Sequence, residues 1–138
     1  MDAFIAELMK VWDCTYLGDL EWCINLCVKR NRALRTMTID QTDYIDEIVE
    51  KFNMQGAAPI ATPADPAVHL SKDMGPANKD ERREMETRPY SSGVGSVLYT
   101  RLTRADAIAA IAEVARFMQD PGPIHWKALK RIIRYLKA

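Results

Sequence analysis

Few residues in this chain stand at spacings that chemistry requires. Gly93 and Gly95 in "SSGVGSVLY" have the outline of a phosphate-cradling loop, but no strand pattern precedes them and no Lys-Ser/Thr pair follows. Small residues that let two helices approach closely are the better reading. His69 and His125 have no ligand or triad partner at a readable distance along the chain, which leaves them surface or capping roles. Asp40, Asp43 and Asp46 recur every three residues. On a helix they form a solvated N-terminal face that suits the dipole, and without a neighbouring strand carboxylate they make a poor two-metal site. Cys14, Cys23 and Cys27 include no CxxC pair and have no histidine nearby, so they read as reduced, packing cysteines. No catalytic constellation, metal site or cofactor site is expected.

What remains is the chemistry of cations. In "FMQDPGPIHWKALKRIIRYLK" the residues Trp126, Leu129, Ile132, Ile133 and Leu136 share one side of a helix, and Lys127, Lys130, Arg131, Arg134 and Lys137 share the other. Such a stripe can follow a phosphate backbone at helix pitch, each neutralised phosphate releasing a counterion. A core helix with a solvated cationic face gives the same periodicity, and periodicity alone favours that blander reading. Lys29, Arg30, Arg32 and Arg35 carry the same ambiguity, because charged hairpin ends are an ordinary way to keep a turn in water.

Composition narrows the context. At 138 residues and 48% hydrophobic the chain can bury a real core. Nineteen cationic and nineteen anionic side chains cancel, so whole-chain charge argues for neither nucleic acid nor membrane. Its distribution is banded instead: five acids against one lysine over residues 1–28, four cations and no acid over 29–35, and five cations and no acid over 125–138. No apolar run approaches the roughly 20 residues that span a bilayer. The start "MDAFIAELMKVW" is acidic where a signal peptide is cationic. A folded, soluble, intracellular protein is expected.

The elements that must position these residues follow from patterning. Phe4, Ile5, Leu8, Val11 and Trp12 predict an amphipathic helix over 3–14, its apolar stripe packing on the segment that follows. Strict alternation from Leu20 to Val28 predicts a half-buried strand. "NRALR" then reads as a turn and "TMTID" as a returning strand, giving a β-hairpin over 20–40 with a basic tip. Asp40 or Thr42 is placed to cap a helix whose stripe is Ile45, Ile48, Val49 and Phe52. Between Gly56 and Pro89 the prolines of "GAAPIATPADPAVHLSKDMGP" predict an extended linker, with a short exposed helix in "NKDERREMETR". Val94, Val97, Leu98 and Leu102 mark the next helix. "TRADAIAAIAEVARFM" marks another, with Thr103 and Asp106 as an N-cap pair and Ile108, Ile111, Ala115 and Met118 as its buried seam. The last helix starts near Ile124. The fold class is therefore α+β and mainly helical: one β-hairpin packed on helices over 1–55, a Pro-rich linker over 56–89, and a three-helix group over 90–138.

The blocks "YLGDLEWCINLCVKR", "YIDEIVEKFNM", "ATPADP", "YSSGVGSVLY", "TRADAIAAIAEVARFM" and "PGPIHWKALKRIIRYLK" are more specific than their periodicity. In this order and spacing, over nearly the whole chain, they resemble reverse transcriptases of copia-type retrotransposons. Three blocks depart from the family pattern. Tyr16-Leu17-Gly18 stands for Asp-Leu-Gly, Ile24-Asn25-Leu26 for Leu-Gly-Ile, and Thr103-Arg104-Ala105-Asp106 lacks the proline of Thr-Arg-Pro-Asp.

The resemblance implies a segment running from the end of the palm, through a primer-grip-like hairpin, to the thumb and connection helices. The catalytic aspartate pair would lie upstream of Met1, so the segment is expected to be non-catalytic. It also implies weak, sequence-indifferent binding of a primer–template duplex through its backbone. By position that role falls on Lys29, Arg30, Arg32 and Arg35 of the hairpin and on Lys127, Lys130, Arg131 and Arg134 of the last helix. The alternative is a domesticated copy that contacts a protein partner through an exposed apolar surface, in regulation or in a host–pathogen encounter. A membrane partner is not expected.

Overall fold

A computed structural model of the chain describes residues 2–138, which fall into two compact units, 2–40 and 41–138. The architecture is mainly helical α+β, with six α-helices and a three-stranded antiparallel sheet among the described residues.

The first unit holds helix α1 (Asp2–Val11) and strands β1 (Trp22–Cys23), β2 (Leu26–Asn31) and β3 (Thr36–Asp40), in sheet order β1-β2-β3. The alternation over 20–28 does not make one strand. The chain reverses at Ile24 and Asn25, so that Cys23 pairs with Leu26 and Trp22 with Cys27. Both turn residues have positive φ, 48° and 58°. Two successive left-handed residues are what a two-residue hairpin turn with the twist of its strands requires. Asn25 tolerates that conformation through its short polar side chain, whereas β-branched Ile24 is strained in it. Alternation persists through the turn, which is why it hides it: a two-residue loop leaves the period of the pattern unbroken.

The second turn lies where "NRALR" placed it. Asn31 pairs with Thr36, the Asn31 carboxamide oxygen accepts from the Leu34 N–H at 3.0 Å, and Arg35 adopts φ 54°. The apolar stripe of α1 does not pack as its spacing predicts. Phe4, Val11 and Trp12 are each about two-thirds or more exposed (69%, 75% and 67%). Cys14 is also exposed, and Cys23 and Cys27 are half-buried free thiols.

The second unit carries the main core. Helix α2 (Thr42–Lys51), which patterning groups with the hairpin, contributes Ile48 and Val49 to one cluster with Val94, Val97, Ile111, Val114, Leu129, Ile132 and Ile133. Its N-cap is Gln41, without a side-chain cap bond, and not Asp40 or Thr42. Helices α4 (Tyr90–Tyr99), α5 (Ile108–Ala115) and α6 (Pro123–Leu136) pack on one another and complete the core. Each fully buried aliphatic side chain here contributes about 1.5–3 kcal/mol relative to exposure.

Helix α6 buries the stripe its spacing predicts: Trp126, Leu129, Ile132, Ile133 and Leu136. The seam of α5 differs from expectation. Ala107, Ala110, Ile111, Val114 and Phe117 are buried, whereas Ile108 and Met118 are 45% and 40% exposed. A 3₁₀ turn at Ala105–Ala107 precedes the helix, which begins only at Ile108. Asp106 does not cap it, because its carboxylate receives the Arg104 guanidinium at 3.1 Å and the Tyr135 hydroxyl. In α4 the buried side is Tyr90, Gly93, Val94 and Val97, leaving Leu102 beyond its end exposed. Gly93 has the packing role expected of it, since an added Cβ would meet Leu129 Cδ2 at 2.7 Å. Around Gly95 no atom lies within 4 Å of such a Cβ.

The Pro-rich segment belongs to this unit as a strap bound to its surface. Leu70 and Met85 enter the core, as does Met54 just before the segment, and Ala57 and Met74 pack against it. Helix α3 (Lys79–Glu86) begins at Asn78, whose side chain accepts from the Glu81 N–H at 2.8 Å.

Candidate nucleic-acid interface

The hairpin cations are all exposed, and they differ in what holds them. Arg32 lies against Asp19, with one guanidinium nitrogen 2.7 Å from each carboxylate oxygen. That hydrogen bond and its charge hold Asp19 below, and Arg32 above, their ordinary titration ranges. Lys29 stands 3.7 Å from Asp40. Arg30 and Arg35 make no ion pair among the described residues. Lys29 and Arg30 are successive on β2, so they project to opposite faces. The turn over 32–35 fixes their register against β3, with Lys29 opposite Thr38 and Arg30 opposite Met37.

On α6 the four predicted cations divide. Arg131 donates to the Thr62 hydroxyl at 2.8 Å and lies 3.4 Å from the Asp65 carboxylate. Arg134 donates from Nε to the Ala58 carbonyl at 2.7 Å. Lys137, one step further on, donates to the Ala57 carbonyl at 3.0 Å and to the Gln55 carbonyl. Three of the stripe's cations thus clasp the strap. Lys127 is exposed and Lys130 half-buried, 6.0 Å from the Trp126 ring centroid. Neither makes an ion pair among the described residues.

His125 has no surface role, being 0% exposed. Its Nδ1 accepts from the Gly122 N–H at 2.8 Å, its Nε2 lies 3.0 Å from the Ser71 carbonyl, and its ring stacks on Phe117 at 4.1 Å. The capping role expected of it is therefore combined with a core position. His69 is exposed on the strap. Among the described residues no group of three or more His, Cys, Asp or Glu side chains could hold a metal ion, and no helix is long and apolar enough to cross a membrane.

Position, cation pattern and fold together describe a mainly helical α+β segment with basic residues on a hairpin turn and on a terminal helix. Comparison with known proteins gives the kinship. Over 132 residues, 95% of its length, the chain is 39% identical to part of the retrovirus-related Pol polyprotein from transposon TNT 1-94 of Nicotiana tabacum. It is 33% identical over 111 residues to the Pol polyprotein from transposon RE1 of Arabidopsis thaliana. A further 55 residues' match, at 46% identity, is to secreted RxLR effector protein 161 of Plasmopara viticola, covering 39% of each chain. The chain is thus related to Pol polyproteins of plant transposons, of which it spans only a small part: 10% of the TNT 1-94 polyprotein and 7% of RE1. No protein-family model and no solved structure matches it.

Proposed function

We propose that this chain is a non-catalytic segment of a copia-type reverse transcriptase, running from the end of the palm through the thumb, and that it holds a primer–template duplex through backbone contacts. The observation that carries this reading is the hairpin tip. Arg30, near the end of β2, and Arg35, in the turn that follows it, stand at a hairpin end whose register against β3 is fixed, and neither makes an ion pair among the described residues. Phosphate contacts of this kind position a duplex without reading its sequence. Lys127 and Lys130 are the α6 cations available for the same task, because Arg131 and Arg134 are engaged by the strap.

Fluorescence anisotropy of a labelled primer–template duplex, titrated at several salt concentrations, tests this. Binding should weaken steeply with salt, as counterion release requires, and should be lost when Lys29, Arg30 and Arg35 are changed to Ala. Binding that is absent at low salt, or indifferent to those changes, refutes it.

A second reading, a domesticated protein-interaction module, has two observations in its favour. One is the exposed apolar stripe of α1, with Phe4, Val11 and Trp12 in water. The other is the similarity of part of the chain to a secreted effector. On this reading association tolerates salt and is lost on changing Phe4 and Trp12 to Ser, while duplex binding is nil.

A further inference from the structure

Strand β3 is an open edge of the sheet. Its one strand neighbour is β2, against which all of Thr36–Asp40 pairs without a bulge. The other edge, β1, has only two residues, too short to template a further strand. Which backbone groups of β3 face outward follows from β2. The Val28 N–H donates to the Glu21 carbonyl at 2.8 Å, on the β1 side. In an antiparallel ladder a residue sends its N–H and C=O to one side, and the next residue sends its own to the other. Cys27, Lys29 and Asn31 therefore bond to β3, where they stand opposite Asp40, Thr38 and Thr36. Met37 and Ile39 turn their N–H and C=O groups away from the sheet, and neither makes another backbone hydrogen bond among the described residues.

Thr36, Met37, Thr38 and Ile39 are all exposed. Natural sheets blunt such an edge with lysine, proline, a bulge or a covering element. Residues 36–39 carry none of these devices, and two threonines and an isoleucine favour the strand. The edge is also self-complementary. Laid antiparallel on its own copy about a twofold axis at Thr38, it sets Met37 opposite Ile39 of the second copy and Ile39 opposite Met37. Each pair then exchanges both N–H···O bonds, so that outward groups meet outward groups. Paired residues project to the same face, which places Met37 and Ile39 beside Arg30 and Val28. On that face the apolar strip continues across the axis. On the other face Thr38 meets Thr38, and Thr36 meets Asp40 as hydroxyl to carboxylate, with no like charges opposed.

We propose that β3 is a homodimerisation edge, along which two copies of this chain join their sheets by antiparallel pairing centred on Thr38. The pairing occupies both β3 edges, so the assembly closes at two copies. It uses only the first unit and requires no nucleic acid.

Sedimentation velocity of the full chain over a concentration series tests this. A monomer–dimer equilibrium is expected, weak for so short an interface, with Kd on the order of 100 μM. Met37→Pro removes an outward donor and no bond to β2, and should raise Kd about tenfold or more. Thr38→Glu opposes two carboxylates across the axis while facing Lys29 within its own sheet. It should raise Kd about fivefold or more and leave the hairpin intact. Thr38→Cys should oxidise to a disulfide-linked dimer, because a non-hydrogen-bonded pair brings its Cα atoms to about 4.5 Å. Thr36→Cys lies off the axis and should give no more linked dimer than the unaltered chain, in which Cys14, Cys23 and Cys27 set the background. Far-UV circular dichroism shows that each variant is folded. A chain that stays monomeric at the highest concentration reached, a dimer indifferent to Met37→Pro or to Thr38→Glu, assemblies larger than two copies, or equal cross-linking at positions 36 and 38 would overturn the proposal.

Discussion

His125 Nε2 lies 3.0 Å from the carbonyl oxygen of Ser71, fifty-four residues earlier in the chain. Because Nδ1 of the same ring accepts from the Gly122 N–H, the neutral tautomer with its proton on Nε2 satisfies both contacts. A second proton would place a donor against the Gly122 N–H. Burial lowers the pKa of this imidazole, against smaller raising effects of the Ser71 carbonyl and Asp120.

The folded-state pKa of His125 thus lies below the unfolded value near 6.5, and between the two the unfolded chain binds more protons. The stability this neutral ring contributes is complete above about pH 6.5 and is lost as pH falls through the folded pKa. Thermal melts from pH 7.5 downward should show Tm declining below about 6.5. His125→Gln, which cannot titrate, should flatten that part of the profile. An unchanged slope in the variant would place the acid sensitivity elsewhere.

Three glycines separate close approach from mere smallness. A Cβ on Gly122 would stand 2.0 Å from the Met74 carbonyl oxygen, backbone that cannot move aside alone. Gly122→Ala should therefore cost about 1–3 kcal/mol or more in urea unfolding. Gly93→Ala should also destabilise, by forcing Leu129 and Phe52 apart. Gly95→Ala meets open space within α4 and should stabilise by about 0.5–1 kcal/mol, since alanine favours the helix.

Arg134 and Lys127 sit on the same helix and should behave oppositely. Arg134 holds the Ala58 carbonyl at 2.7 Å, so Arg134→Ala should loosen the strap, cost about 1 kcal/mol and raise the rate of proteolysis over residues 57–67. Lys127→Ala should change stability by no more than about 0.5 kcal/mol. Equal protease resistance in the two variants would mean that the strap is held by its apolar contacts alone.

At the first hairpin turn, Ile24 holds φ 48°, a conformation that crowds the Cβ of an L-residue and costs roughly 1–2 kcal/mol. Ile24→Gly should relieve this. Hydrogen exchange at the Val28 amide, which donates to the Glu21 carbonyl at 2.8 Å, should slow by about fivefold or more, equivalent to about 1 kcal/mol. Faster exchange would show that the isoleucine side chain contributes more than its backbone strain removes.

What the sequence determined by itself was whatever depends on local periodicity. The stripe of α6, the buried face of α2 and the basic turn over 31–35 were legible because a 3.6-residue or two-residue repeat dictates which side chains share a face. The ordered blocks also carried the kinship with transposon Pol polyproteins. Tertiary structure alone decided where long-range partners stand. The buried face of α5 is the side that packs on α4 and α6, and Asp106, spaced as a cap, is held instead by Arg104 and by Tyr135, 29 residues further on. Two of the four α6 cations expected on phosphate became clasps because their acceptors, Thr62 and the Ala58 carbonyl, come from a strap whose prolines give no periodic signal. Alternation conceals the hairpin within 20–28, because a two-residue turn preserves it. Patterning assigns a residue to a face; which acceptor that face meets depends on contacts tens of residues away, and periodicity holds no record of them.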